Sequence, residues 1–356
     1  MPGLRLLSRA SGNECELITC KDSHYNQVTM KIALDAVGGD FYPANPVSGA
    51  ISAVAERQDL HIILLGPKEL VENELTKQNY TGNRISVVDA PQIIGMDESP
   101  AVAVKSKQNS SIAIGLTMHQ KGLCDAFVSA GNTGALLAAS VFILGKLPGV
   151  SRPAIGSTYP SVHGNKFMLD VGANTDVKPE TLVQFGLMGK VFTRYILGIE
   201  NPKIGLLNVG EEEEKGRELT RKTYELLKDR PDFAGNMEGR DILKGKADVY
   251  ICDGFTGNLL LKLGETIPEA IGHIVKQTMI KKGLTTEQMQ LVGGILKESF
   301  MPFDYQLVGG VPFLGVNGNS LVGHGGSPPL AIKNMIFTAS KMVEKQVNKH
   351  ITNELN

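Results

Sequence analysis

The sequence predicts an α/β protein in three α/β/α layers, with a mostly parallel sheet covered by helices on both faces. Three observations predict it. Short apolar runs recur along the chain, each closed by Gly, Asp or Asn. Stretches with helical spacing separate those runs. The chain has 356 residues, 42% of them hydrophobic, which is material for about two average domains or one large α/β domain. Strands that alternate with helices pair in parallel through right-handed crossovers.

The runs are 31–35 (KIALD), 61–65 (HIILL), 84–89 (RISVVD), 125–129 (DAFVS), 166–170 (KFMLD), 203–208 (KIGLLN) and 247–252 (ADVYIC). Each has strand length and is dominated by apolar residues, as strands buried on both faces are. The stretches 44–57, 68–78, 101–121, 133–145, 179–198, 212–228 and 257–280 have helical spacing. The last carries Leu260, Leu263, Ile267, Ile271, Ile274 and Val275 on one face, and a second apolar stretch follows at Met289, Leu291, Val292 and Ile295. Together they read as a helical hairpin extension at about 260–300, made of dimer or core helices or facing a membrane. Residues 1–29 mix Ser, Asn, Cys, Lys and Asp without a period and read as an extension ahead of one domain, 30–350.

Composition removes several classes of function. Lys plus Arg number 36 against 37 for Asp plus Glu, so no cation excess exists to release counterions from a phosphodiester backbone, and nucleic acid is not expected as a partner. The 40 glycines follow no triplet period and mark tight turns instead of a fibre. The longest nearly apolar stretch, 133–145, is shorter than the roughly 20 residues of a membrane span. Cys15, Cys20, Cys124 and Cys252 lack CxxC spacing, so neither a disulfide framework nor a metal site is indicated, and a cytoplasmic location is expected.

In open parallel sheets, ligands bind beyond the carboxyl ends of the strands, so the loops that follow the runs are the candidate site. Asp35-Ala-Val-Gly-Gly-Asp40 offers a turn through Gly38 and Gly39 without the GxGxxG of a dinucleotide site. Gly239 to Lys246 fails the Walker pattern, with five residues between its glycines and Ala247 where Ser or Thr is needed. Ser129-Ala-Gly-Asn-Thr-Gly134 places Ser129, Gly131, Asn132 and Thr133 at the start of an apolar helix, suited either to an anion or to a helix cap. Asp170 and Asn174 close a loop of the same form. Glu211 and Lys215 lie in an acidic run expected to enter a helix, Asn236 and Glu238 in the next loop, and Asp253, Thr256 and Asn258 in another. His324, among three glycines, is poorly explained as a core residue. Ser99, Lys105 and Lys107 lead into a helix, and the two lysines could meet an anion.

GxSxG, HExxH and a Cys beside a His are all missing, which favours a substrate that brings its own nucleophile. Phosphate is such a nucleophile, and a thiolate leaves with little proton assistance because thiols have a pKa of about 8.5. The strand-end rim would then act as a pocket of hydrogen-bond donors, by positioning and electrostatic stabilisation.

Seven segments carry a resemblance: Leu34-Asp-Ala-Val-Gly-Gly-Asp40, Ser129-Ala-Gly-Asn-Thr-Gly-Ala135, Leu169-Asp-Val-Gly-Ala-Asn174, Asn208-Val-Gly-Glu-Glu212, Gly235-Asn-Met-Glu-Gly-Arg-Asp241, Asp253-Gly-Phe-Thr-Gly-Asn258 and His324-Gly-Gly-Ser327. In this order the chain resembles the bacterial phosphate acyltransferases, the PlsX family. The resemblance implies a fold similar to isocitrate and isopropylmalate dehydrogenases and to phosphotransacetylases, without nicotinamide or another cofactor. It implies transfer of a fatty acyl group from acyl carrier protein to inorganic phosphate, giving acyl phosphate for a downstream glycerol-3-phosphate acyltransferase of phospholipid synthesis. A homodimer and peripheral membrane association are implied as well.

Asn132, Asn258, His324 and Lys215 are the expected catalytic residues. Asp35, Gly38, Gly39, Asp40, Ser99, Lys105, Lys107, Ser129, Gly131, Thr133, Asp170, Asn174, Glu211, Asn236, Glu238, Asp253 and Thr256 are the expected substrate contacts. The chain departs from the family in carrying Lys105 and Lys107 where an arginine-rich stretch stands, and His-Gly-Gly-Ser for His-Gly-Ser-Ser. Rival readings are a phosphotransacetylase using short acyl-coenzyme A, a non-catalytic phosphate or nucleotide sensor and, more distantly, a nicotinamide dehydrogenase.

Overall fold

A computed structural model describes residues 29–303 and 309–356. The extension read at 1–29 lies, apart from Thr29, outside the described residues. Among the described residues eleven strands form one sheet: β1 (Met30–Asp35), β2 (Leu60–Gly66), β3 (Ile85–Asp89), β4 (Ala126–Ser129), β5 (Ala154–Tyr159), β6 (Lys166–Leu169), β7 (Ile204–Leu207), β8 (Phe233–Met237), β9 (Val249–Ile251), β10 (Val311–Leu314) and β11 (Ser320–Val322). Their spatial order is β3-β2-β1-β4-β11-β10-β5-β6-β9-β7-β8. All seven apolar runs are strands. The four strands that hydrophobic pattern misses are β5, whose centre is Gly-Ser-Thr; β8, which contains Gly235 and Asn236; β10, four residues with Pro312; and β11, three residues long.

Helices α1 (Ala44–Glu56), α2 (Lys68–Lys77), α3 (Pro100–Ser106), α4 (Ser111–Gln120), α5 (Thr133–Ala139), α6 (Pro179–Phe192), α7 (Glu218–Leu227), α8 (Gly239–Lys244), α9 (Gly254–Lys281), α10 (Thr286–Ser299), α11 (Pro329–Glu344) and α12 (Val347–Leu355) connect or cover the strands. The stretch 101–121 is two helices, because the Ser110 hydroxyl caps a new one by accepting from the Ala113 N–H at 3.3 Å. The acidic run 211–214 is a turn ahead of α7, a correction to its reading as a helix start. Side chains alternate along each strand, so Ile32, Leu34, Ile62 and Leu64 face one buried layer while Ala33, Ile63 and Leu65 face the other.

Direction within the sheet decides where the loops go. β3, β2, β1, β4 and β11 run parallel as one block, and β6, β9, β7 and β8 as a second. Three antiparallel pairings, β11–β10, β10–β5 and β5–β6, separate them, so the two blocks point in opposite directions. A single strand-end rim, as read from sequence, therefore becomes two. Register brings both rims to the centre. Ser129, Val322 and Val311 stand side by side at the end of the first block. Phe313 pairs with Ile155, and Gly156 pairs with Leu169 at the end of β6. The two blocks thus end within one or two residues of the same level, roughly 3–7 Å by strand rise.

The β10–β11 turn is locked by a half-buried histidine. His119 Nδ1 donates to the Cys124 carbonyl at 3.0 Å, and Nε2 accepts from the Asn319 N–H at 2.8 Å. Burial holds its pKa below the ordinary imidazole range, partly opposed by the Cys124 carbonyl and Asp125. A lowered folded pKa contributes stability that is present above about 6.5 and lost as pH falls through the folded value. Urea unfolding should therefore show lower stability at pH 5.5 than at 7.5. His119→Gln should cost about 1 kcal/mol at pH 7.5 and make that acid loss shallower; an unchanged pH dependence would exclude His119 as its source.

Candidate active site

The exposed surface where the two rims meet is a groove of about 220 Å³. Its floor is one face of β5, with Ile155, Ser157 and Tyr159, and the first turns of α9 roof it with Asn258, Leu261, Lys262 and Glu265. The first block contributes Thr133 and His324, and the second contributes Val171 beside Asn258. These four come from three loops singled out by sequence and from the start of α9. Antiparallel blocks are what allow them to face one another.

Much of the first rim is bonded to itself. Asp35 is buried at 2% exposure, its Oδ2 accepting from the Ser129 hydroxyl at 2.6 Å and its Oδ1 from the Val37 N–H at 3.1 Å. Burial pushes its carboxyl above the usual range, opposed by the donors Ser129, Ser111 and Val37. The Ser129 oxygen accepts from the Gly131 N–H at 2.9 Å. A Cβ on Gly38 would stand 2.6 Å from Asp35 Oδ2 and 2.8 Å from the Gly131 nitrogen, so the knot closes only around glycine. Gly39 has φ +93°, and the Asp40 N–H donates to the Gly325 carbonyl at 2.8 Å, tying this turn to the loop of His324.

Asn132 caps α5 by accepting from the Ala135 N–H at 3.0 Å, and its amide nitrogen donates to the carbonyls of Gly95, Met96 and Glu98 at 3.0–3.2 Å. Its side chain is fully used in holding the 95–98 loop. Lys107 is likewise engaged by Glu98 and the Ile93 carbonyl, while Ser99 and Lys105 are exposed outside the groove.

The second rim has its own knots. Asp170, completely buried, accepts from the N–H groups of Ile155, Gly172, Ala173 and Asn174 and from the Asn174 amide, at 2.6–3.2 Å. The Asn174 amide also donates to the Pro153 carbonyl at 2.8 Å. Asp253 caps α9 by accepting from the Thr256 N–H at 2.9 Å and hydroxyl at 3.1 Å, and it pairs with Arg217. Arg217, unmarked by any motif, is thus the cation that holds the 208–217 loop to the start of α9.

Lys215, Glu211, Asn236 and Glu238 do not line the groove. Lys215 is exposed, Glu211 pairs with Lys246 at 2.9 Å, the Asn236 amide donates to the Glu212 carbonyl at 3.0 Å, and Glu238 caps α8.

Of the candidates, Thr133, Asn258 and His324 are exposed in the groove. His324 Nδ1 accepts from the Gly326 N–H at 3.1 Å, which makes Nε2 the protonated donor of the neutral ring. Sequence reading missed Ser157, Tyr159, Lys262 and Glu265. Lys262 Nζ lies 2.8 Å from Glu265 on the next turn, a spacing common on any solvated helix and therefore no signal by itself. Lys262 is the one cation among the described lining residues, so the groove pairs hydroxyl, amide and imidazole donors with one ammonium around apolar walls.

The comparisons with known proteins follow this geometry. The family model for fatty acid synthesis proteins matches residues 30–350. Proteins named phosphate acyltransferase are similar at 46% identity in Salinibacter ruber, over 89% of this chain and 95% of that one, and at 41% in Halothermothrix orenii, over 92% and 99%. Among solved structures, a phosphotransacetylase from Streptococcus pyogenes superposes with a TM-score of 0.56 at 17% identity, covering 89% of this chain and 96% of that one. A branched-chain phosphotransacylase from Enterococcus faecalis gives 0.55 at 13%, covering 88% and 99%. At such identities the likeness is one of fold.

The bonding pattern separates structural asparagine from exposed asparagine. Asn132→Ala should destabilise by about 1–3 kcal/mol, through the lost cap and three orphaned carbonyls. Asn258→Ala should stay within about 0.5 kcal/mol of the parent. Equal urea midpoints for the two variants would contradict the assignment.

Proposed function

The chain belongs to the fatty acid synthesis protein family and is an acyltransferase, and from that premise we propose that it moves a fatty acyl group from the thioester of acyl carrier protein to inorganic phosphate. The observation that supports this most is the groove itself: it gathers donors between apolar walls, and none of its described lining residues is an activated nucleophile. Burial pushes the Cys124 thiol up to about 12 and the Cys252 thiol well above its usual value, so neither supplies thiolate. The Ser157 hydroxyl donates to the Thr158 carbonyl at 3.3 Å instead of to a base.

In this reading a phosphate oxygen attacks the thioester carbonyl. The O–C bond forms, the C–S bond breaks with its electron pair leaving on sulfur, and the proton of hydrogen phosphate ends on the thiol. The Asn258 amide and the His324 Nε2–H stabilise charge on the carbonyl oxygen, and Lys262 and Thr133 hold the phosphate. Asn132, Asp35 and Asp170 act as positioning residues that fix the two rims. The product, an acyl phosphate, suits a following acylation of glycerol 3-phosphate in phospholipid synthesis.

A homodimer with peripheral membrane contact completes the proposal. α10 buries no residue, and α9 leaves Leu259, Leu263 and Ile274 about 60% exposed, a stripe suited to a second copy. The end of the hairpin, 275–295, is proposed as the lipid-facing tip, with Ile280 and Leu291 exposed there. No helix among the described residues is long and apolar enough to cross a membrane.

Phosphate-dependent thiol release should be fast with palmitoyl carrier protein and slow with acetyl-coenzyme A, and intact mass should show no acylated chain. Thiol release without phosphate, or an acyl adduct, would overturn direct attack. Asn258→Ala and His324→Ala should each lose more than about tenfold in kcat/KM with little loss of stability. Removing 275–295 should abolish sedimentation with anionic vesicles while leaving a dimer in ultracentrifugation; retained vesicle binding would refute the tip.

A further inference from the structure

The reverse face of the central strand pair carries a second cavity, of about 270 Å³. Ile155, Ser157 and Tyr159 face the groove, whereas Gly156 and Pro312 line this cavity on the opposite side of the sheet. Its walls are mainly Phe167, Phe192, Ile196, Leu197 and Met301. The Phe167 and Phe192 rings stack at 4.3 Å, and a Cβ on Gly156 would fall 2.1 Å from the Phe167 ring, so glycine is what admits this aromatic wall. Its polar lining residues are Thr158, Asn165, Thr338 and Lys341, and Lys341 Nζ donates to the Ile196 carbonyl at 2.6 Å.

Three residues, Thr158, Pro302 and Gly310, line both cavities. Their place in the fold explains the junction. The first block ends at Ser129 and Val322, level with the first residue of β10, so the sheet has a notch beside β10, ahead of Val311. The backbone crosses that notch as Gly309 and Gly310, held so close to Met335 that a Cβ on Gly310 would stand 2.6 Å from its Cγ. Gly309 and Gly310 thus add no side chain to the saddle, and Thr158 and Pro302 are the other described residues shared by the two cavities.

We propose that this second cavity receives the tail of a long acyl chain whose carbonyl end lies in the groove, the chain bending over Gly310 from one sheet face to the other. The inference rests on the acyl-transfer reading of the groove and adds where the chain length is sensed. A saturated chain suits the path because it is flexible, unbranched and without hydrogen-bonding groups. Each methylene that leaves water there strengthens binding by about fourfold. An acyl group too short to pass the saddle gains nothing from the aromatic walls.

The chain contains no tryptophan, so Leu197→Trp and Met301→Trp each introduce a single emitter at the cavity, Met301 being 49% exposed and tolerant of replacement. The probes are palmitoyl-pantetheine brominated near its methyl end and octanoyl-pantetheine brominated at its terminal carbon. Saturable quenching by the first and none by the second is expected in both variants. In Leu197→Trp, which narrows the cavity, the ratio of palmitoyl to octanoyl kcat/KM should fall by about tenfold. Absence of quenching, or equal quenching by both probes, in a protein that still releases thiol with phosphate would overturn the tail site and leave the transfer reading intact. Absence of phosphate-dependent thiol release from every acyl donor would instead overturn the transfer reading, while quenching, which needs no turnover, still decides what the cavity holds.

Discussion

The antiparallel seam β11–β10–β5–β6 is the constraint on which the rest of this molecule depends. Two parallel blocks that shared one direction would put all their strand-end loops on one edge of the sheet. Because the seam reverses direction and the register ends both blocks at nearly the same level, loops from opposite edges converge on the central pair. The groove, and with it any reaction between a group held by one rim and a group held by the other, is a consequence of hydrogen-bond register. A one-residue slip of β10 would turn its own side chains to the other face and move the two rims past each other by one strand residue.

The rims themselves show a division between carboxylates and neutral donors. Asp35, Asp170 and Asp253 are buried and each accepts hydrogen bonds from nearby backbone N–H groups, so they shape loops and do not meet the groove as charges. That arrangement suits an anionic substrate: the carboxylate oxygens that would repel phosphate are turned to loop N–H groups and, at Asp253, to Arg217. What remains toward solvent in the groove is hydroxyl, amide, imidazole and ammonium, with Glu265 paired to Lys262.

Legibility in the sequence followed the same physics. Seven strands are visible because each is a run of apolar residues; β5, β8 and β10 are not, because Gly156, Ser157, Gly235 and Pro312 interrupt the pattern that burial normally writes, and β11 is only three residues long. The seam was therefore the least readable part of the sheet, and the two-rim geometry with it. Loop motifs announced donors but not their direction: Asn132 and Asn258 look equivalent in sequence, yet one is consumed by three carbonyls and the other stands exposed. Arg217 and Lys262 carried no local signal, since an isolated cation on a helix or loop is indistinguishable from a solvated one until the fold places a carboxylate or a groove beside it.

α9 joins the parts. Its first turns lie directly on the sheet because Gly257 and Gly264, two turns apart, let the helix approach: a Cβ on Gly257 would fall 1.9 Å from the Asp170 carbonyl oxygen, and one on Gly264 would fall 2.6 Å from the Tyr159 hydroxyl. The same helix then continues into the unburied hairpin with α10. One rigid element is thus both the roof of the groove and the base of the exposed apolar stripe. Whatever covers that stripe must hold α9 at the angle that closes the groove, and a partner surface that let the helix rise by the width of a methyl group would separate Asn258 and Lys262 from Thr133 and His324 without altering any of the four.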